Sequence, residues 1–85
     1  MTTTKFLNRF ERYLKTELPN HHVTIFGYKL YVDFVFVHMF EEEDVKQAIS
    51  LMEPSCMDDG FNEDTIFRGL AMKFIDICKH KGIIK

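Results

Sequence analysis

Four histidines (His21, His22, His38, His80), two cysteines (Cys56, Cys78) and thirteen acidic residues are the groups of this 85-residue chain that can ligate a metal, move a proton or attack an electrophile. Their spacing sets what chemistry is open to them. Neighbours on a strand point to opposite faces, so His21 and His22 do not converge on one ion. No pair of His or Cys stands at the CxxC or HxxxH spacing of a zinc site. Cys78 and His80 are separated by roughly 160° around a helix, the wrong angle for a thiolate–imidazole pair. Cys56 is set among Glu53, Asp58 and Asp59, and neighbouring anions disfavour a thiolate. The segment MDDGFNED places its glycine directly after an Asp-Asp pair, which breaks the ligand spacing of a calcium loop. It reads instead as a turn at Asp59-Gly60 that leads into a helix with an acidic start. Every remaining acid is accounted for by a helix start or a wet face, leaving no carboxylate pair for acid–base work. The residues imply no catalytic, cofactor or metal site, no small-molecule substrate, and no enzyme.

The bases are better placed to act together. Lys5, Arg9 and Arg12 fall on one face of a first helix, with Tyr13 and Lys15 near its edge, and a last helix adds Lys73, Lys79 and Lys81. If those faces adjoin, the six form a basic, partner-binding patch with aromatic neighbours that suits an anionic macromolecule. The competing reading is a solvated surface, favoured by the pI near 6.0. Charge is segregated: residues 41–64 hold nine acids against Lys46, while residues 65–85 hold five bases against Asp76. Such asymmetry bears on association and partner choice rather than on fold.

Positioning these groups falls to five elements. Phe6, Leu7, Phe10, Leu14 and Leu18 recur at helical spacing and predict a helix from about Thr4 to Leu18, capped by an N-terminal threonine and stopped at Pro19. His22 to Phe26 alternates as a short strand. Tyr28 to about His38 is a long strand, joined to the first through Gly27 as a tight hairpin; one strand kinked at Gly27 is the alternative. Val45, Ala48, Ile49 and Met52 predict a helix from Glu41 to Glu53, with acids in its first turn. Ile66, Phe67, Leu70, Ala71, Phe74, Ile77 and Cys78 predict a last helix from Asn62 or Glu63 to Lys81, ended by Gly82.

The order α-β-β-α-α describes a single α+β domain over residues 1–85, with an antiparallel hairpin covered by helices. Phe10, Phe34 and Phe74 fall on apolar stripes and are expected in the core. The stretch YKLYVDFVFVHMF is apolar on both faces: Leu30, Val32, Phe34 and Phe36 on one, Tyr31, Val35, Val37 and Met39 on the other. A strand of that kind needs cover on both sides, and a two-stranded sheet is marginal alone. The expectation is therefore a homodimer whose sheet continues across the interface, built on Tyr31, Asp33, Val35 and Val37.

The first eighteen residues lack the apolar run of a signal peptide, and the longest apolar run, Phe34 to Val37, is far short of a membrane span of roughly twenty residues. Two cysteines without a disulfide framework suit a reducing cytoplasm. Together these readings describe a cytoplasmic, non-enzymatic interaction module, an accessory, inhibitory or regulatory factor of the kind carried by phages and mobile elements. Its expected partner is a protein, with no membrane involved; an RNA- or DNA-binding role for the basic helix faces is the alternative.

Overall fold

The computed structural model describes residues 1–52 and 63–84; the expectations placed on Cys56 and on the Asp59–Gly60 turn lie outside them. Helix α1 spans Thr3–Glu17. Thr2 caps it, its hydroxyl accepting the Lys5 N–H at 3.1 Å, and the Leu18 N–H closes the last turn on the Leu14 carbonyl. Three strands follow: β1 (Val23–Phe26), β2 (Lys29–Val32) and β3 (Val35–Met39). Helices α2 (Glu42–Met52) and α3 (Glu63–His80) complete the described fold. The architecture is a small α+β domain, with helices flanking an antiparallel sheet in the order β1-β2-β3.

Gly27 acts as the tight hairpin requires. Phe26 pairs with Lys29, leaving a two-residue loop whose first residue, Gly27, has φ 65°, a sign that glycine adopts without a Cβ penalty. The alternative of a single kinked strand is thereby excluded. The long strand, however, is not continuous. It folds back at Asp33-Phe34, where both residues have positive φ (52° and 67°), giving a second two-residue hairpin and the order α-β-β-β-α-α.

That turn inverts the alternation. Val32 pairs with Val35, so the residues facing the helices are even-numbered before the turn (Leu30, Val32) and odd-numbered after it. Phe34 is left at the tip, 80% exposed, rather than in the core, and Phe36 is 46% exposed. A bulge opposite Leu30/Tyr31 then inserts Val37, since Tyr31 pairs with Phe36 but Leu30 with His38. Val37 and His38 both turn toward the helices: Val37 is buried, and the His38 ring lies 4.8 Å from that of Phe74. Met39 is returned to the outer side.

The core lies between the helices and the inner sheet face. Phe10 is its hub, with ring centroids 5.5 Å from Phe67, 5.8 Å from Phe74 and 6.0 Å from Phe40. Such tilted and edge-to-face pairs add to the burial of the rings. Val23, Leu30, Val32, Val45 and Cys78 fill the remaining space. Gly82 (φ 79°) ends α3: its N–H bonds the Lys79 carbonyl and the Ile83 N–H bonds that of Cys78, a Schellman closure. Among the described residues, no helix is long and apolar enough to cross a membrane.

Candidate functional site

Cross-strand pairing fixes which side chains share the sheet face opposite the helices. Thr24 pairs with Tyr31, Phe26 with Lys29, Lys29 with Met39 and Tyr31 with Phe36, so these six stand together on the outer face. Phe26 is 77% exposed and Met39 51%. Tyr31 and Phe36 meet edge to face at 5.9 Å in the middle of the face. Lys29 is the one formally charged residue of this set. Both sheet margins are edges, but they differ. A carboxylate oxygen of Glu11 on α1 accepts the Ile25 N–H of β1 at 2.6 Å, whereas β3 has no strand beyond it among the described residues.

The face ends at the β2–β3 turn in a knot of five side chains. One Asp33 carboxylate oxygen lies 2.7 Å from His21 Nδ1, and the other accepts the His22 N–H at 2.8 Å; the Asp33 N–H returns a bond to the His22 carbonyl. The hydrogen bond from His21, then that from the His22 backbone, holds the Asp33 carboxyl below its ordinary pKa. The His22 ring stacks on Phe34 at 4.5 Å with a 15° tilt, and its Nε2 lies 2.9 Å from Thr24 Oγ1. The turn is thus tied to the strand that precedes β2 and to the residues leading into it, and Phe34 is displayed rather than loose.

Of the expected interface residues, Tyr31 lies on the outer face and Val35 is exposed on β3. Asp33 belongs to the turn. Val37 is turned inward by the bulge and buried in the core of its own chain. Phe26, Phe36 and Met39 are surface residues outside the expected interface set, although Phe36 and Met39 belong to the strand expected to be apolar on both faces. The Phe26-Gly27 boundary offers a signal, since a residue beside a two-residue turn pairs out of the core or into it by parity alone.

The six expected basic residues are exposed but do not converge. Arg9 Nη1 is 2.6 Å from Glu63 at the start of α3. Arg12 lies beside Tyr13, Thr16 and Phe67 around an open groove of about 450 Å³ shared with Arg9 and Glu63. Lys79 belongs to the opposite end of α3, about 24 Å along its axis from Glu63, and Lys81 lies just past that end. Lys5 lies in the first turn of α1, and Lys73 lies midway along α3 with its ammonium 5.8 Å from the Phe74 ring centre.

Lys73 also borders a second concavity, about 340 Å³, with an aromatic floor of Phe6, Phe40 and Phe74 and a rim of His38, Glu41 and Asp44. Burial, and then Lys73, push the His38 pKa down, so its imidazole is neutral at neutral pH. Burial pushes the Cys78 thiol up, which makes it a packing atom rather than a nucleophile. Among the described residues no three His, Cys, Asp or Glu side chains group as metal ligands. Compared with protein-family models, with curated proteins and with solved structures, the chain matches none of them.

Proposed function

We propose that this protein is a non-enzymatic, cytoplasmic interaction module that works as a homodimer, using the uncovered outer face of its sheet to associate and presenting the assembled dimer to a macromolecular partner as an accessory or regulatory factor. One observation carries the reading: the apolar character of that face. At about 200 Å² per side chain, the exposed parts of Phe26, Phe34, Phe36 and Met39 make a patch of about 500 Å², at the upper end of what monomers leave open. Two such patches, with a rim of His22, Thr24 and Lys29, bring about 1,200 Å² together, the lower bound of a stable interface. In the cytoplasm Cys78 stays a thiol.

Nucleic acid fits the surface less well. Aromatic rings on an open sheet can stack bases, but Lys29 is the one base on this face among the described residues, and strand binding draws on several. Sedimentation velocity at micromolar concentration tests the reading: a dimer for the wild type and a folded monomer for Phe36→Lys support it. A wild-type monomer, with a salt-sensitive mobility shift of single-stranded RNA, would transfer the function to nucleic-acid binding.

A further inference from the structure

The outer face is not the same at its two ends, and this polarity restricts how a second copy can sit on it. The end next to Gly27 carries Phe26, Met39 and Lys29; the other carries Phe34 stacked on His22; Tyr31 and Phe36 lie between them. Resting on the dimer reading above, we infer that two copies pack face to face with their ends exchanged, so that Phe34 of each lies against Phe26, Met39 and Lys29 of the other. Tyr31 and Phe36 then pack about the two-fold axis.

Three arguments lead there. Matching like ends would press Lys29 against its own copy in a water-poor interface, and like charges directly opposite are unfavourable. Exchanging the ends sets each Lys29 ammonium over a Phe34 ring, a cation–π contact. Beside that ring stands the Asp33 carboxylate, held by His21 and the His22 N–H, a negative charge on the same side as the incoming Lys29. The third argument is the turn itself. A phenylalanine at φ 67° is a costly outlier for a bulky side chain, and the Asp33 bonds hold it there. An aromatic ring fixed in an exposed pose has little left to lose in ordering when a partner covers it, which is what an interface anchor needs. Sheets packed this way stand about 10 Å apart, close enough for such side chains to interdigitate.

Phe26→Cys and Phe34→Cys, each made in a Cys56→Ser background with the fully buried Cys78 retained, test the arrangement. The two proteins are mixed, oxidised with diamide and weighed intact. Exchanged ends give the heterodisulfide, which joins one variant to the other through their introduced thiols, in at least about fivefold excess over either homodisulfide. Random pairing gives about twofold; contact raises the ratio because it makes the reaction effectively intramolecular. In parallel, Lys29→Ala weakens the dimer about threefold or more, the loss of a cation–π contact. A predominant Phe34→Cys homodisulfide, or a dimer tightened by Lys29→Ala, overturns the exchange of ends while leaving the dimer standing. A wild-type dimer that cross-links at neither position places its interface elsewhere and also overturns it. A wild-type monomer in sedimentation overturns both this arrangement and the reading beneath it.

Discussion

Glu11 on α1 accepts the backbone N–H of Ile25 at 2.6 Å, so a helix carboxylate occupies a place that a neighbouring strand would take. The β1 edge is closed from within the chain, and among the described residues β3 is the edge left open. This asymmetry protects one margin of the sheet from indiscriminate strand pairing.

Glu11→Ala leaves the half-buried Ile25 N–H without its acceptor. The expected loss is about 1–2 kcal/mol, the cost of an unsatisfied donor of this kind, with added self-association at the newly opened edge. Chemical denaturation and light scattering on the same samples separate the two effects.

Phe34 and Phe10 should respond in opposite senses. Phe10→Ala empties the hub of the core and is expected to cost about 3–5 kcal/mol. Phe34→Gly relieves the positive φ and creates the Asp-Gly turn that hairpins favour, so the isolated fold gains about 1 kcal/mol while the dimer weakens. Denaturant midpoints at low concentration, where the dimer is dissociated, report the first quantity, and sedimentation reports the second. A destabilised Phe34→Gly would show that the ring supports its own fold.

His38 makes stability depend on pH. Burial first, and Lys73 second, hold its pKa below the usual 6.5, so as pH falls the unfolded chain takes up this proton before the native one does. Proton uptake by the unfolded state destabilises the fold on the acid side. Melting temperature is therefore expected to fall as pH drops below about 6.5, and His38→Gln should flatten that slope. Asp33 has its carboxyl lowered, so its contribution is lost only at pH values under its ordinary 3.8, outside this window.

The paired reversal Arg9→Glu/Arg12→Glu removes the Arg9–Glu63 bridge, which is exposed on both sides. Such pairs contribute about 1 kcal/mol at most, so folding and dimerisation should be nearly unchanged. A gel-shift or pull-down in which the variant loses partner binding, together with its sensitivity to salt, would make this helix face the working surface after all.

How far the sequence discloses this fold varies with the element. The helices follow directly from Phe6, Phe10 and Leu14, from Val45 and Ile49, and from Phe67, Phe74 and Cys78, because one apolar stripe admits one way of burying it. Gly27 announces its own turn. The Asp33-Phe34 turn has no such marker: Asp tolerates a positive φ, but phenylalanine does not, and the segment reads as unbroken strand. The sole hint is that Asp33 is the one charged residue between Lys29 and Glu41. Missing that turn misplaces Phe34, Phe36 and Val37 together, because alternation carries one parity error down the whole strand. The surface is legible only in outline. An excess of apolar residues over what one small core can hold is visible in the composition, but the face that carries the excess depends on the turn and the bulge. The basic residues are visible individually, and their separation depends on how α3 crosses the molecule.

The two short hairpins also govern how the fold is reached. Each strand meets its neighbour across two intervening residues, so the sheet zips from local contacts with almost no chain to close, an event of microseconds in isolated hairpins. Phe10 and Phe74, in contrast, meet from elements far apart along the chain. Without α3, Phe10 lacks Phe67 and Phe74, and the part of the inner sheet face that α1 does not cover stays wet, as does the outer face. The docking of α3 on α1 is the long-range closure of the fold, and variants that slow it are expected to leave apolar sheet surface open to aggregation for longer.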